Sequence, residues 1–155
     1  MNKHEINLEQ LYPIIEEVIA SGGEFRLYPK GTSMLPIIRQ GIDSIVLCAV
    51  GDVCVNDILL YKRDDGSFVL HRVVKIKNDE YIMCGDNQFD LERGITQRHL
   101  LAKVKYFYYE NEKITGDNIE YQKYLKTLPR VRRRRKIRNT LGRIKNKIIK
   151  PKKQS

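Results

Sequence analysis

The sequence lacks the long apolar segments that carry proteins into or across membranes. Its longest uninterrupted apolar stretch runs from Ile45 to Val50, whereas a helix that spans a bilayer needs about 20 apolar residues. The N-terminal sequence MNKHEINLEQ has acidic side chains and no apolar run, so it does not resemble a secretory signal peptide. We therefore expect a cytoplasmic protein without a membrane-spanning segment.

Cysteine is scarce, and its arrangement argues against two common uses of this residue. The cysteines and histidines of the chain are Cys48, Cys54, Cys84, His4, His71 and His99. No two cysteines form a CxxC motif, and none shares a metal-like spacing with a histidine, so we expect no zinc or other metal site. An odd number of cysteines without a secretory leader is typical of reduced thiols in the cytoplasm.

Acidic residues are absent from the last part of the chain. Residues 1–121 contain 14 Lys and Arg and 19 Asp and Glu, a net charge of −5. Residues 122–155 contain 15 basic and no acidic residues, a net charge of +15. The sequence therefore predicts a mildly acidic domain over 1–121 and a strongly basic tail over 122–155.

Short alternating or β-branched runs make up most of the predicted domain. Apolar residues at helical spacing predict one helix over Asn7–Ala20. The predicted strands are Glu24–Tyr28, Ser44–Val50, Ile58–Lys62, Ser67–Ile76, Tyr81–Cys84, Leu101–Tyr109 and a short one around Ile114. The turn-forming residues 63–66 predict a hairpin between two of these strands. One helix followed by many short strands indicates a mainly β domain, either a coiled sheet or a partial barrel.

The basic tail has the pattern of an amphipathic helix. Its apolar stripe consists of Ile137, Leu141, Ile144 and Ile148, with Lys and Arg on the other faces. A helix of this kind over 130–153 could bind an anionic membrane surface peripherally, on the inner side of the membrane, and the alternative is a solvated basic extension. Nucleic acid is a third and least favoured partner for the tail, because the sequence has no recognition module. An earlier helical pattern, from Tyr121 to Leu128, is interrupted at Pro129.

Three short segments carry side chains suited to acyl-transfer chemistry. They are GTSMLP at 31–36, VLHRVV at 69–74 and GDNQFD at 85–90. Ser33 lies in a glycine-led turn that could present its hydroxyl as a nucleophile. A serine needs a base, and His71 supplies an imidazole that titrates near neutral pH. Asp86, after a predicted strand, could orient that imidazole.

In this order, the three segments resemble the active-site boxes of the type I signal peptidases and the self-cleaving repressor peptidases. Ser33-Met34-Leu35-Pro36 is similar to the Ser-Met-x-Pro box of the nucleophile. His71-Arg72 is similar to the His-Arg pair of the archaeal and endoplasmic-reticulum enzymes, and Gly85-Asp86-Asn87 resembles the Gly-Asp-Asn box that contributes an acidic residue. The resemblance covers roughly Gly31 to Lys105. It implies a signal-peptidase-like serine endopeptidase that needs no cofactor and cleaves a protein or leader peptide bound as an extended strand.

The sequence leaves several alternatives open. Either Asp86 or Asp90 could orient His71, and we favour Asp86. Because we expect no membrane anchor, a role in protein export does not follow from the resemblance. The chain could also be a binding or regulatory module of the same fold that no longer cuts. A third possibility is a self-cleaving regulator, although that type uses lysine as its base and has a DNA-binding domain before a cleavable linker.

Overall fold

Eight of the eleven elements of regular structure in the described residues are strands, as expected for a mainly β chain. The computed structural model describes residues 8–149, apart from the side chains of 144 and 146–149. The elements are α1 (Leu8–Ala20), β1 (Phe25–Leu27), β2 (Ser44–Cys48), β3 (Ile58–Lys62), β4 (Phe68–Lys77), β5 (Glu80–Cys84), β6 (Glu92–Ile95), a 3-10 turn (Gln97–His99), β7 (Leu100–Tyr109), β8 (Glu112–Ile114) and α2 (Ile119–Ile149). The prediction of a mainly β fold with one helix at each end is confirmed. Asn7, the predicted helix start, lies outside the described residues.

All strands belong to one open antiparallel sheet. Its order is β1-β2-β7-β3-β4-β5-β6, and β8 pairs with the last residues of β7. The predicted hairpin joins β3 to β4, with the Arg63 N–H donating to the Ser67 carbonyl at 2.9 Å. Gly66 in this turn has φ +87°, which glycine adopts without strain. The edge strands are therefore β1 and β6 at the two ends of this order, and β8, which pairs only with β7.

Both faces of the sheet are buried, because side chains alternate between two apolar clusters. In β3, Ile58 and Leu60 pack into a first cluster with Ile15 of α1, whereas Leu59 and Tyr61 pack into a second. A strand that is buried on both faces has a continuous apolar sequence rather than an alternating one. The neighbouring β4 therefore also projects its side chains into two different environments.

The sequence did not predict β6. Its sequence, ERGI, has two charged residues and a glycine, so it lacks the apolar alternation by which the other strands were found. Gly94 has φ +82°, a conformation outside the regular strand region. The pairing of Tyr81 with Ile95 and of Met83 with Glu92 holds the strand at the sheet edge. Tertiary pairing, and not local propensity, thus places Glu92 within hydrogen-bonding distance of Tyr61 on β3.

The helix α2 is longer than the sequence predicts and continues through Pro129. Its first turns pack on the domain, where Leu125 and Leu128 are buried. Tyr121 packs edge-on against Phe107 of β7, with the ring centres 5.2 Å apart. The predicted boundary between residues 121 and 122 therefore falls inside α2, in a segment that belongs to the packed domain.

The two halves of α2 present apolar residues in opposite directions. The first half buries them against the domain, whereas Ile137 and Leu141 are 51% and 61% exposed. The side chains of Ile144 and Ile148, and residues 150–153 of the predicted tail, lie outside the described residues. Within residues 8–149, no helix is both long and apolar enough to cross a bilayer.

Candidate active site

The first and third motifs meet in the structure through their backbones. Ser33 lies in the turn region between β1 and β2, where the Leu35 N–H donates to the Thr32 carbonyl at 3.2 Å. The carbonyl of Ser33 accepts a hydrogen bond from the Asn87 N–H at 2.8 Å, and the Asn87 side-chain amide donates to the Thr32 carbonyl at 3.2 Å. The loop after β5 therefore fixes the position of the serine turn.

Gly85 is the point of closest approach between these two segments. A Cβ at this position would lie 2.6 Å from the Ser33 carbonyl oxygen and 3.1 Å from the Ser33 Cβ. Contacts this short would force the serine turn to move. Glycine is required here because the backbone of one motif packs directly against the other.

We predict that Gly85→Ala displaces Ser33 and slows its acylation by about 100-fold, the cost expected for misplacing a reacting group by about 1 Å. The measurement is the rate of covalent labelling by a fluorophosphonate, followed by intact mass. Gly116→Ala is the matched control, because a Cβ at Gly116 meets nothing within 4 Å. Equal labelling rates in the two variants would show that this contact does not position the nucleophile.

Ser33 faces an open edge of β4. The residues of β4 from Phe68 onward pair with β3, but pairing with β5 begins only at Arg72. A cavity of about 130 Å³ next to Ser33 is lined by Phe68, Val69 and Leu70, which alternate between the two faces of the strand. Since side chains of both faces line it, the cavity follows the unpaired edge. The residue after this edge segment is His71.

His71 is held by a chain of buried polar groups. Its side chain lies on the β4 face that packs on the second cluster, and the residue is 5% exposed. The imidazole Nδ1 is 3.1 Å from the hydroxyl of Tyr61, and that hydroxyl donates to Glu92 Oε2 at 2.7 Å. Arg63 in turn donates two hydrogen bonds to the Glu92 carboxylate, of 2.6 and 2.8 Å. The carboxylate that faces His71 is therefore that of Glu92, at 3.8 Å from Nδ1.

These contacts select one tautomer of the neutral His71 ring. Because Tyr61 donates its only hydroxyl proton to Glu92, its oxygen accepts the proton on His71 Nδ1. This tautomer leaves Nε2 as the basic nitrogen. Burial lowers the pKa of His71 to about 4. The charge of Glu92 raises this pKa in part, and the nearby Arg63 guanidinium lowers it. At neutral pH the imidazole is therefore an uncharged base.

The structure brings Ser33 and His71 to neighbouring cavities without a direct bond between them. Among the described residues, no hydrogen bond joins the Ser33 hydroxyl to the imidazole. Asn87 links Ser33 to the His71 cavity, because its N–H binds the Ser33 carbonyl and the residue lines the cavity of about 360 Å³ beside His71. Catalytic hydrogen bonds are often longer before substrate binds.

Asp86 does not contact the imidazole. Its carboxylate is fully buried and receives hydrogen bonds from Arg72 Nε and Nη2, both at 2.7 Å. The Tyr124 hydroxyl donates to it at 3.0 Å, and Arg132 Nη2 lies 3.5 Å away. Asp86 thus joins the β4–β5 region to α2. Asp90, the alternative, is exposed and lines the His71 cavity, without a hydrogen bond to the imidazole among the described residues.

Sequence reasoning missed Tyr61, Glu92 and Arg63 as partners of the site. Tyr61 lies in the apolar sequence of β3, where an aromatic residue indicates packing. Glu92 lies in the strand that the sequence did not predict. The only available signal was a tyrosine within a run otherwise made of aliphatic residues, because a buried tyrosine hydroxyl needs a hydrogen-bond partner.

Comparisons of the chain with protein-family models, with curated protein sequences and with solved structures found no match. The resemblance to the signal peptidases therefore stays a prediction.

Proposed function

We propose that the protein is a serine endopeptidase in which Ser33 is the nucleophile and His71 the general base. The observation that carries this proposal is that Ser33 lies against the open edge of β4, at the residues that lead directly to an uncharged imidazole. Ser33 Oγ attacks the scissile carbonyl, and His71 Nε2 accepts its proton and passes it to the leaving amine. Covalent labelling of Ser33 by a fluorophosphonate tests the proposal.

In this mechanism Tyr61 and Glu92 take the positioning role that the resemblance gives to Asp86. The imidazole gains a positive charge when it accepts the serine proton. A carboxylate 3.8 Å from Nδ1 favours that charge, and the Tyr61 hydroxyl between them fixes the orientation of the ring. Asp86 keeps a structural role, because its oxygens are already occupied by Arg72 and Tyr124.

The backbone amide of Ser33 is a candidate for the oxyanion hole. Its N–H donates no hydrogen bond within the described part of the chain, so it is available to a developing oxyanion. A preorganised donor of this kind is typically worth about 10²- to 10³-fold in rate. The Asn87 contact to the Ser33 carbonyl orients the peptide that carries this N–H.

A substrate would bind as an added strand along the unpaired edge of β4. Strand addition uses the free backbone groups of an edge for affinity and nearby pockets for specificity. A second cavity, of about 610 Å³, continues from the Ser33 cavity and shares Phe68, Val69 and Leu70 with it. Its walls include Leu11 of α1 and Leu27 of β1. The groove therefore favours apolar side chains on one side of the scissile bond.

We expect Glu92→Gln to lower the acylation rate by about 10²- to 10⁴-fold. A glutamine amide can donate to the Tyr61 oxygen, which allows the hydroxyl to point at His71 Nδ1 and moves the ring proton to Nε2.

The same substitution should change the pH dependence of acylation. In the intact protein, acylation requires neutral His71, so activity is present above the His71 pKa of about 4 and is lost as the pH falls through that value. Without the Glu92 charge, which favours imidazolium, this acid limb moves to lower pH.

The measurement is the rate of fluorophosphonate labelling between pH 3.5 and 8, chosen to bracket that pKa value of about 4. Glu112→Gln is the control. Glu112 is exposed on β8 and distant from His71 in the chain, and its substitution removes the same charge. An acid limb that stays in place in Glu92→Gln would contradict the positioning role of Glu92.

We also propose that the outward face of α2 binds an anionic membrane surface peripherally. Ile137 and Leu141 point away from the domain, and Arg133, Arg134 and Lys136 next to them are exposed. Basic residues near an anionic surface contribute about 1 kcal/mol each, and apolar side chains enter the headgroup boundary. The opposite orientation of the two halves of α2 supports this arrangement, because the outward stripe makes no contribution to the core.

Ile137→Ser combined with Leu141→Ser should weaken sedimentation with phosphatidylglycerol-containing vesicles by about tenfold or more, because two apolar anchors are lost. Full-length protein is needed, since truncation at Tyr121 would remove the core residues Leu125 and Leu128. Ile42→Ser is the control, because Ile42 is 62% exposed but lies outside α2. Unchanged sedimentation of the double variant would exclude α2 as the anchor.

A further inference from the structure

A basic groove lies between the inward face of α2 and the loop after β5. Its volume is about 450 Å³, and its lining consists of Asn87, Phe89, Arg135, Arg138, Asn139, Gly142 and Arg143. Three of these residues are arginines, and no acidic residue is among them. We name this site the α2 groove.

Two of the arginines are available to a ligand. Arg135 donates to the backbone carbonyl of Asp86 at 2.6 Å and so ties α2 to the loop. Arg138 and Arg143 are exposed and form no ion pair or hydrogen bond with another described residue. A guanidinium presents several donors in a plane, which suits carboxylates and phosphates.

The α2 groove is continuous with the candidate active site. Asn87 and Phe89 line both the groove and the cavity that contains His71. On the other side of the site is the apolar groove beside Ser33, reached through the open edge of β4. A strand bound along that edge would therefore have one end near apolar walls and the other near free arginines.

We propose that the α2 groove selects substrates with an acidic segment on the side of the scissile bond that lies beyond His71. This inference rests on the proposed peptidase function and names its substrate class: a peptide with an apolar segment and an acidic segment on opposite sides of the cleaved bond. The inward arginines serve substrate recognition, and the outward stripe of α2 serves the membrane. Gly142 is part of the groove lining, and a Cβ there would meet nothing within 4 Å, so a larger side chain at this position has room to extend into the groove.

The test measures binding and not cleavage, so that its failure is separate from failure of the peptidase proposal. Full-length Ser33→Ala protein is titrated against a fluorescein-labelled hexaglutamate peptide, followed by fluorescence anisotropy. Arg138→Gln combined with Arg143→Gln should weaken binding by about tenfold, the effect of losing two exposed ion pairs. Gly142→Leu should also weaken it by filling the groove without a change of charge.

The matched control is Arg133→Gln combined with Arg134→Gln, which removes the same charge from α2 at exposed residues outside the groove lining. This control should bind the peptide at least several-fold more tightly than the groove variant, since its groove is intact. Equal losses in the two double variants would mean general attraction to a basic helix and would overturn the proposal. So would a groove variant that keeps its peptide affinity but loses affinity for phosphatidylglycerol vesicles, because the groove would then face lipid.

Discussion

Ser33→Ala should abolish covalent labelling of the full-length protein by a fluorophosphonate. In the proposed mechanism, Ser33 Oγ attacks phosphorus, fluoride leaves, and the proton of the hydroxyl passes to His71 Nε2. His71→Gln keeps the hydroxyl but removes the base, so labelling should slow by about 10²- to 10⁴-fold. Intact mass spectrometry gives both the rate and the stoichiometry of the adduct.

Ser21→Ala is the control, because the Ser21 hydroxyl is exposed and donates only to the carbonyl of Val18 at the end of α1. Labelling that persists in Ser33→Ala would exclude Ser33 as the nucleophile. The pH range from 5 to 9 lies well above the His71 pKa of about 4. A folded protein that is never labelled in this range would favour the alternative that the chain is a binding module that no longer cuts. An unchanged intact mass after long incubation at alkaline pH would exclude a self-cleaving regulator.

Asp86→Asn should lower the free energy of unfolding by about 3–5 kcal/mol, the cost of leaving one partner of a buried ion pair without its counter-charge. Arg72 and Asp86 are both fully buried, and their two hydrogen bonds of 2.7 Å join β4 to the loop after β5. Tyr124 and Arg135 add contacts from α2 to the same residue. The loss should therefore appear as reduced stability and as looser packing of α2.

Urea unfolding at pH 7 measures this difference, with Asp90→Asn as the control. Asp90 is exposed, so its substitution should change the free energy of unfolding by no more than about 0.5 kcal/mol. The same pair of variants separates the two roles considered for Asp86. An Asp86→Asn protein of normal stability whose acylation is slowed by several orders of magnitude would show that Asp86 orients the imidazole, against the geometry of the Tyr61–Glu92 chain.

Local patterns were enough to predict most strands and the turns between them. β3 was predicted at its observed bounds, because its apolar run is bounded by turn residues on both sides. α1 was predicted through Ala20 because apolar residues at helical spacing are followed by a turn. Such elements depend on residues that are neighbours in the chain, so their physics can be read directly from the sequence.

Contacts between distant residues could not be predicted in the same way. Tyr61 and Glu92 are 31 positions apart, and Glu92 belongs to a strand with almost no local signal. Arg72 is 49 positions from Tyr121, which meets it only because α2 packs across the domain. The sequence pattern around Asp86 indicates a turn and gives no information on which cationic side chain is buried beside it.

By itself, the sequence determined a mainly β chain with a helix at each end, the separation of a mildly acidic part from a basic C-terminal part, and the three segments that contain Ser33, His71 and Asp86. The tertiary structure decided which acid faces the imidazole, which acid is buried in an ion pair, and that the basic helix borders the site. The physical reason is that propensity and periodicity act over a few residues, whereas ion pairs and hydrogen-bond chains depend on which strands become neighbours in the sheet.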